Sequence, residues 1–273
     1  MKTQFPQFIY GTAWKEERTQ NLVDLAVKVG FRAVDTANQK KHYREDFTGE
    51  TLKDLYKEIA RDQFWLQSKY TYVRGQDHRL PYNPDDDYPT QVKASFQSTL
   101  KNLHTHYVDS YLLHGPMNAT ALTDVDWQVW KAMEQLHTAG QAKVIGISNV
   151  NLLQLKELFA SSEIKPMTVQ NRCYAEQGWN RDVREFCLEN KIIYQGFSLL
   201  TANRQVLTDQ RVRLMADKYS RTVPQIIFCF CKQVGMLPIT GTSNETHMQE
   251  DLNGFNFELT SDEVQFIETS FLI

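Results

Sequence analysis

Phe31-Arg32-Ala33-Val34-Asp35, Phe64-Trp65-Leu66-Gln67-Ser68-Lys69 and Asp109-Ser110-Tyr111-Leu112-Leu113-His114 are three short, largely apolar runs, each ending on an ionisable side chain. If they are parallel strands of one barrel, all three terminal residues emerge on the same rim, where (β/α)8 enzymes build their sites. A tyrosine, Tyr43, sits between the first two runs in the polar loop Asn38-Gln39-Lys40-Lys41-His42-Tyr43-Arg44-Glu45. A carboxylate, an ammonium, a phenol and an imidazole would then converge. That set suits the delivery of one proton to a carbonyl oxygen.

The same alternation continues on both sides of these runs. Phe8-Ile9-Tyr10 leads into Gly11-Thr12-Ala13-Trp14, and Leu22, Leu25, Ala26 and Val29 follow at helical spacing, with Gly30 as the C-cap. A helix is expected from about Gly49 to Ala60 and another through Val92, Phe96, Leu100 and Leu103. Further on, Val144-Ile145-Gly146-Ile147 ends at Ser148-Asn149, Met167-Thr168-Val169 at Gln170-Asn171, and Ile192-Ile193-Tyr194-Gln195-Gly196 at Phe197. Helices are expected near 181–190, 209–220 and 223–235, then a last strand from Met236 to Thr240, a short helix, and a final helix at 261–270 with the cap signal Thr260-Ser261-Asp262-Glu263. Eight strand-plus-helix units with two extra helices predict an α/β fold, a (β/α)8 TIM barrel forming a single domain over residues 1–273. The longest connection, Tyr70 to Tyr88 after the third strand, reads as a lid or binding loop.

Composition limits the function classes. The chain has 273 residues, 41% hydrophobic and 23% charged, ordinary for a soluble globular protein, and its net charge of −3 gives no reason to expect nucleic acid or an anionic membrane as a partner. No apolar run approaches bilayer length, and Met1-Lys2-Thr3-Gln4-Phe5-Pro6 lacks the apolar core of a signal peptide. Four cysteines show no disulfide-scaffold density, and Cys229-Phe230-Cys231 in a helical pattern puts its two thiols on different faces, so buried structural thiols are expected rather than a metal site. The expectation is a cytoplasmic protein with reduced thiols and no metal.

Taken singly, each rim residue has an ordinary structural role. Asp35 or Lys69 alone suits a structural ion pair, His114 a hydrogen-bonded core position, and Tyr43 a loop surface. Together they suggest a chain in which Asp35 keeps Lys69 charged, Lys69 lowers the pKa of the Tyr43 phenol, and His114 holds a substrate carbonyl. The later strand ends add Ser148, Asn149 and Gln170, whose donors and acceptors suit a carboxamide, and Phe197, which can stack under a planar heterocycle. That combination fits nicotinamide. No GxGxxG follows a strand, which excludes a Rossmann site.

These motifs, with Val34-Asp35-Thr36-Ala37, Leu66-Gln67-Ser68-Lys69, Leu113-His114-Gly115-Pro116, Gly146-Ile147-Ser148-Asn149 and Pro166-Met167-Thr168-Val169-Gln170-Asn171, resemble those of the aldo-keto reductases over nearly the whole chain. The resemblance implies an NAD(P)H-dependent reductase of aldehydes, ketones or sugars. Hydride would come from the nicotinamide and a proton from Tyr43, with Asp35, Tyr43, Lys69 and His114 as the catalytic tetrad. It further implies a cofactor, NADP(H) or alternatively NAD(H), held by Gly11, Thr12, Asp35, Ser148, Asn149, Gln170, Phe197, Ser198, Leu200, Gly241, Thr242, Ser243, Asn244, His247 and Asp251. Trp14, Tyr43, Tyr70 and His114 would line the substrate pocket, and a monomer is the family default.

Four departures stand out. Tyr43 lies eight residues after Asp35, where five is the commoner spacing, so the loop carries an insertion. The usual basic residues for the 2′-phosphate are replaced by Gly241-Thr242 and His247, which should weaken a preference for NADP over NAD. The chain stops soon after its last helix, and few residues precede strand one, so a long C-terminal tail and an N-terminal plugging hairpin are both expected to be missing. Arg74, His78 and Arg79 in the long loop are expected to pair with Asp77 and Asp85 to Asp87 rather than to attract an anionic substrate. Two other readings follow from the same residues: a cofactor-binding regulatory subunit on the same barrel, and a lyase or isomerase using Lys69 as a Schiff base. The second needs an uncharged lysine, and Asp35 argues against it.

Overall fold

In the computed structural model, described for residues 5–273, eight parallel strands close on themselves in sequence order. They are β1 (Ile9–Gly11), β2 (Ala33–Asp35), β3 (Trp65–Tyr70), β4 (Val108–Leu113), β5 (Ala142–Ser148), β6 (Thr168–Arg172), β7 (Ile193–Phe197) and β8 (Met236–Thr240). Helices α1 (Thr19–Val29), α2 (Glu45–Leu55), α3 (Tyr88–Asn102), α4 (Asp124–Thr138), α5 (Leu152–Ser161) and α6 (Arg181–Glu189) follow the first six strands. Helices α7 (Arg204–Thr208), α8 (Gln210–Tyr219) and α9 (Val223–Gln233) follow β7, and α10 (Glu245–Leu252) and α11 (Ser261–Thr269) follow β8. The expected (β/α)8 barrel is therefore present. Its surplus is three helices rather than two, because α7 precedes the helices expected at 209–220 and 223–235.

Alternation along each strand sorts the side chains into two cores. Outward-facing Val34, Leu66, Tyr111, Ile145, Val169 and Tyr194 pack with helix residues such as Val23, Phe96, Met133, Leu155 and Ile227. Inward-facing Ile9, Ala33, Trp65, Val144, Leu237 and Ile239 form the second cluster, with Ile239 also lining the cavity at the strands' C-terminal ends. Phe5 stacks on Trp65 with ring centroids 4.8 Å apart, so two aromatic rings sit at the base. The segment read as lacking a leader begins with residues 1–4, which lie outside the described residues.

Helix α2 begins four residues earlier than its expected start at Gly49 and stops at Leu55 rather than Ala60. Glu45 and Asp46 in its first turn face the positive end of the helix dipole. Gly49 is an interior residue, required because a Cβ there would lie 1.7 Å from the carbonyl oxygen of Asn102 at the end of α3. A glycine that reads as a boundary is a point of close helix approach. The signal at Thr260 behaves as expected, with a reciprocal capping box to Glu263.

The long connection after β3 contains a turn at Val73–Gly75 and is pinned to the loop that carries Tyr43. Gln76 Nε2 donates to Asn38 O at 2.9 Å, Gln39 Nε2 to Gly75 O at 2.6 Å, and Arg79 to Lys40 O at 2.7 Å. Arg79 also pairs with Asp77, as expected, whereas Arg74 donates to the carbonyl of Pro116. The two loops brace each other. Among the described residues no helix is long and apolar enough to cross a membrane, and no cluster of His, Cys, Asp or Glu suits a metal. All four cysteines are buried and free.

Candidate active site

The C-terminal ends of the strands open into a cavity of about 570 Å³, lined by Gly11, Trp14, Asp35, Tyr43, His114, Ser148, Asn149, Gln170, Phe197, Ser198, Leu200, Gly241 and Thr242, among others. Inward parity puts Asp35 at the end of β2 and Lys69 two residues beyond Gln67 in β3, while His114 continues the inward positions of β4. Lys69 is fully buried behind the cavity wall and donates to both carboxylate oxygens of Asp35 at 2.7 Å and to Thr36 O at 2.9 Å. Burial lowers the Lys69 pKa, and the Asp35 and nearby Glu45 carboxylates oppose that effect. Bonded to both carboxylate oxygens, Lys69 is the charged partner, which removes the Schiff-base reading.

The insertion before Tyr43 does not displace it. Its ring centroid lies 5.9 Å from that of His114, and Lys69 Nζ is 5.1 Å from the Tyr43 ring centroid. The expected drop in the phenol's pKa is not found. Burial, followed by the Asp35 charge, pushes it above the ordinary tyrosine range. The Lys69 ammonium is committed to Asp35 and Thr36, so the phenol keeps its proton. His114 Nδ1 lies 2.7 Å from Thr71 Oγ1. Burial, then Lys69 and His42, holds its pKa well below the ordinary histidine range, so the ring is neutral at physiological pH.

Across the cavity, Asn149 Nδ2 donates to Ser148 Oγ at 3.1 Å and to His114 O at 2.8 Å. Ser148 is thereby fixed as an acceptor from Asn149, leaving its own hydroxyl proton for a ligand. Gln170 directs its amide nitrogen inward, and Phe197 presents a ring at the end of β7. A donor hydroxyl, an acceptor amide oxygen and an aromatic face on one wall match the polar edge and flat face of a nicotinamide.

Several expected site residues are not part of this cavity's lining. Tyr70, expected in the substrate pocket, is not there. It follows Lys69 in β3, so it faces the helices, where its hydroxyl donates to Gln91 at 3.1 Å. Thr12 is buried, with its hydroxyl donating to Asp35 O at 2.9 Å. Ser243, Asn244, His247 and Asp251 do not line the cavity. Asn244 caps α10, and Asp251 accepts from Thr240 at 2.8 Å. None of the residues 70–88 lines the cavity, so the long loop is no lid over it in this structure.

Among the cavity residues that were not anticipated, two are ionisable. His42, beside Tyr43 on the inserted loop, stacks against Trp14 at 3.9 Å between ring centroids, and burial lowers its pKa. Lys15 reaches across from the β1 loop to the carbonyl of Gly241, placing an ammonium beside the position where the resemblance led to an expected lysine. Both adjoin residues that sequence singled out, and adjacency was the available signal.

Comparison with known proteins agrees with this geometry. The model of the Aldo/keto reductase family matches residues 8–270. Glyoxal reductase of Bacillus subtilis (strain 168) is 29% identical over 246 residues, covering 90% of this chain and 81% of that protein. The NADPH-dependent alpha-keto amide reductase of Saccharomyces cerevisiae (strain ATCC 204508 / S288c) is 31% identical over 197 residues, covering 67% of this chain and 63% of that one. An aldo-keto reductase from a Medee basin deep-sea metagenome library superposes with a TM-score of 0.84 at 24% identity, covering 99% of this chain and 93% of its own, a likeness of fold. With a barrel, a rim site and a family match that spans nearly all of its length, the chain belongs to the aldo/keto reductase family of NAD(P)-dependent oxidoreductases.

Proposed function

We propose that this protein reduces small aldehydes or ketones to alcohols, with NADP(H) as cofactor and NAD(H) accepted. The observation that carries this reading is the joint placement of a protonated phenol and a neutral imidazole on one side of a cavity whose other wall offers Ser148, Gln170 and Phe197. When bound, the reduced nicotinamide supplies a hydride to the carbonyl carbon. Ser148 and Gln170 would hold the ring's carboxamide, and Phe197 its face. His114, fixed through Nδ1 by Thr71, would present Nε2 to the carbonyl oxygen and orient it.

Tyr43 would give its proton to that oxygen as negative charge develops there. Lys69, within about 5 Å of the phenol ring and held by Asp35, stabilises the resulting phenolate through its field. The raised resting pKa fits this role, because the acid must remain protonated until the oxygen becomes basic. The yeast relative's name supports NADPH as cofactor. Gly241 in place of a lysine supports tolerance of NADH, with Lys15 as the nearest cation.

Titrating NADPH into the protein should quench the fluorescence of Trp14, which is exposed at the cavity mouth. Tyr43→Phe should keep that quenching and lose roughly 10²–10⁴-fold in turnover of an aldehyde substrate. Full activity in Tyr43→Phe would refute the assignment of the proton donor.

A further inference from the structure

Below the cavity, three glutamines span the barrel with Asp35. Gln67 Nε2 donates to Asp35 Oδ1 at 2.8 Å and to Gln195 Oε1 at 2.7 Å. Gln170 Nε2 donates to Asp35 Oδ1 at 3.0 Å and to Gln195 Oε1 at 3.0 Å. Gln195 Nε2 returns a bond to Gln67 Oε1 at 2.9 Å. Gln67 and Gln195 are fully buried and do not line the cavity, so neither touches a ligand there.

Elementary chemistry permits one orientation of this lattice. A carboxylate bonded to an ammonium is acceptor-only, so both Gln67 and Gln170 must turn their NH2 groups toward Asp35. Their second amide protons then meet at Gln195, which must present its oxygen to both. That leaves the Gln195 NH2 for the oxygen of Gln67, which closes the circuit. Every donor on Gln170 is consumed inside the barrel, and among the described residues no donor reaches its Oε1. Beside it, Ser148 has a free hydroxyl proton. The wall therefore presents one acceptor and one donor, in fixed places.

We propose that Gln67 and Gln195 are positioning residues that lock the Gln170 amide with its oxygen toward the cavity, so that the site selects a pyridine ring whose substituent donates an N–H. This rests on the reading above that the cavity binds a nicotinamide cofactor. It adds a second hold on a polarity that Asp35 alone sets with a single bond, since a glutamine released from its partners turns either end to a ligand. The anchor reaches Gln170 twice, directly from Asp35 and again through Gln67 and Gln195, so the carboxylate that serves the proton donor also orients the cofactor wall.

The test compares dissociation constants, by tryptophan quenching, for NADP and its 3-acetylpyridine analogue. The analogue keeps the carbonyl acceptor but replaces the donating NH2 with a methyl group. Wild type should prefer NADP by about five- to tenfold, the range of one neutral hydrogen bond. Gln195→Met removes one of the two acceptors that hold the Gln170 amide and leaves the Asp35 bond, so it should lower that preference by at least about twofold, and Gln67→Met should reduce it in the same direction. Gln195→Glu should restore it. Buried beside Asp35, the new carboxyl holds its proton, accepts from Gln67 and Gln170 and donates to Gln67. Folded Gln195→Met and Gln67→Met proteins that keep the wild-type ratio would overturn the proposal. If Gln195→Met fails to fold, Gln67→Met and Gln195→Glu decide it, through loss of the ratio in the first and its retention in the second. A wild type that binds both dinucleotides equally, or neither, would instead overturn the nicotinamide reading beneath it.

Discussion

Lys69 Nζ sits 2.7 Å from each carboxylate oxygen of Asp35 and 2.9 Å from Thr36 O, which uses all three of its protons within the barrel. The lysine therefore acts on Tyr43 as a fixed charge and not as a hydrogen-bond relay. The pair is buried, so removing one partner strands the other. Lys69→Met should lower the unfolding free energy by roughly 3–5 kcal/mol, whereas the double change Lys69→Met/Asp35→Asn should recover much of that loss. Urea denaturation of the two single variants and the double variant measures the coupling. Additive losses would show that the pair is not energetically linked.

Thr71 holds the His114 imidazole in place. Its hydroxyl is the described partner of His114 Nδ1, at 2.7 Å. Thr71→Val retains the shape and removes that bond, so the ring is no longer held in one orientation. The kcat/KM for an aldehyde should fall about tenfold, or ~1.4 kcal/mol, with cofactor affinity unchanged. Steady-state kinetics combined with cofactor titration separates the two effects.

The cofactor preference should be adjustable at one residue. A Cβ at Gly241 would meet only the Gly11 carbonyl oxygen and the end of Lys15, at 3.5 Å or more, so a side chain fits. Gly241→Lys should raise the preference for NADPH over NADH by about tenfold or more, through a charge-assisted contact to the 2′-phosphate. The ratio of dissociation constants checks this, and an unchanged ratio would place the phosphate elsewhere.

Asp251 carries a pH signature. Burial raises its pKa to about 6, above the ordinary carboxylate range, although Thr240 donates to it. The folded state then binds a proton more tightly than the unfolded chain, so this group's contribution falls as pH rises from about 4 to 6 and stays low above that. Asp251→Asn should stabilise the protein at pH 7 by on the order of 2 kcal/mol, a gain that shrinks to nothing by about pH 4. Thermal unfolding of both proteins across that range tests the sign.

Gly49 opposes helix propensity. Alanine at an interior helix position is ordinarily worth about 1 kcal/mol over glycine. Here its Cβ would fall 1.7 Å from Asn102 O, so α2 and α3 would have to separate. Gly49→Ala should therefore lower the melting temperature, and a rise would show that the two helices yield freely.

The barrel and its rim were legible because strand-end residues follow from a period of two and a parallel sheet. Asp35, Lys69 and His114 needed nothing more, and Tyr43 needed only that its loop fold back over the rim. The same parity placed Tyr70 outside, since neighbours in a strand face opposite ways, and putting both Lys69 and Tyr70 in the site was inconsistent with it. Gln67 and Gln195 were equally readable as inward-facing, two residues before Lys69 and Phe197, but their role depends on bonds across the barrel between residues 128 apart. Lys15 and His42 depend on loop paths that no periodicity encodes. The reach of the 70–88 loop was misjudged because its length was visible, whereas the tethers from Gln76 and Arg79 were not.

The amide tier formed by Gln67, Gln170 and Gln195 also divides the interior into two storeys. Beneath it lies hydrocarbon and indole, and above it a chamber lined by the rim residues. Durability and chemistry are thus assigned to separate floors: repacking around Trp65 and Leu237 should shift the melting point and leave substrate range alone. Reshaping the mouth at Trp14 and His42 should do the reverse.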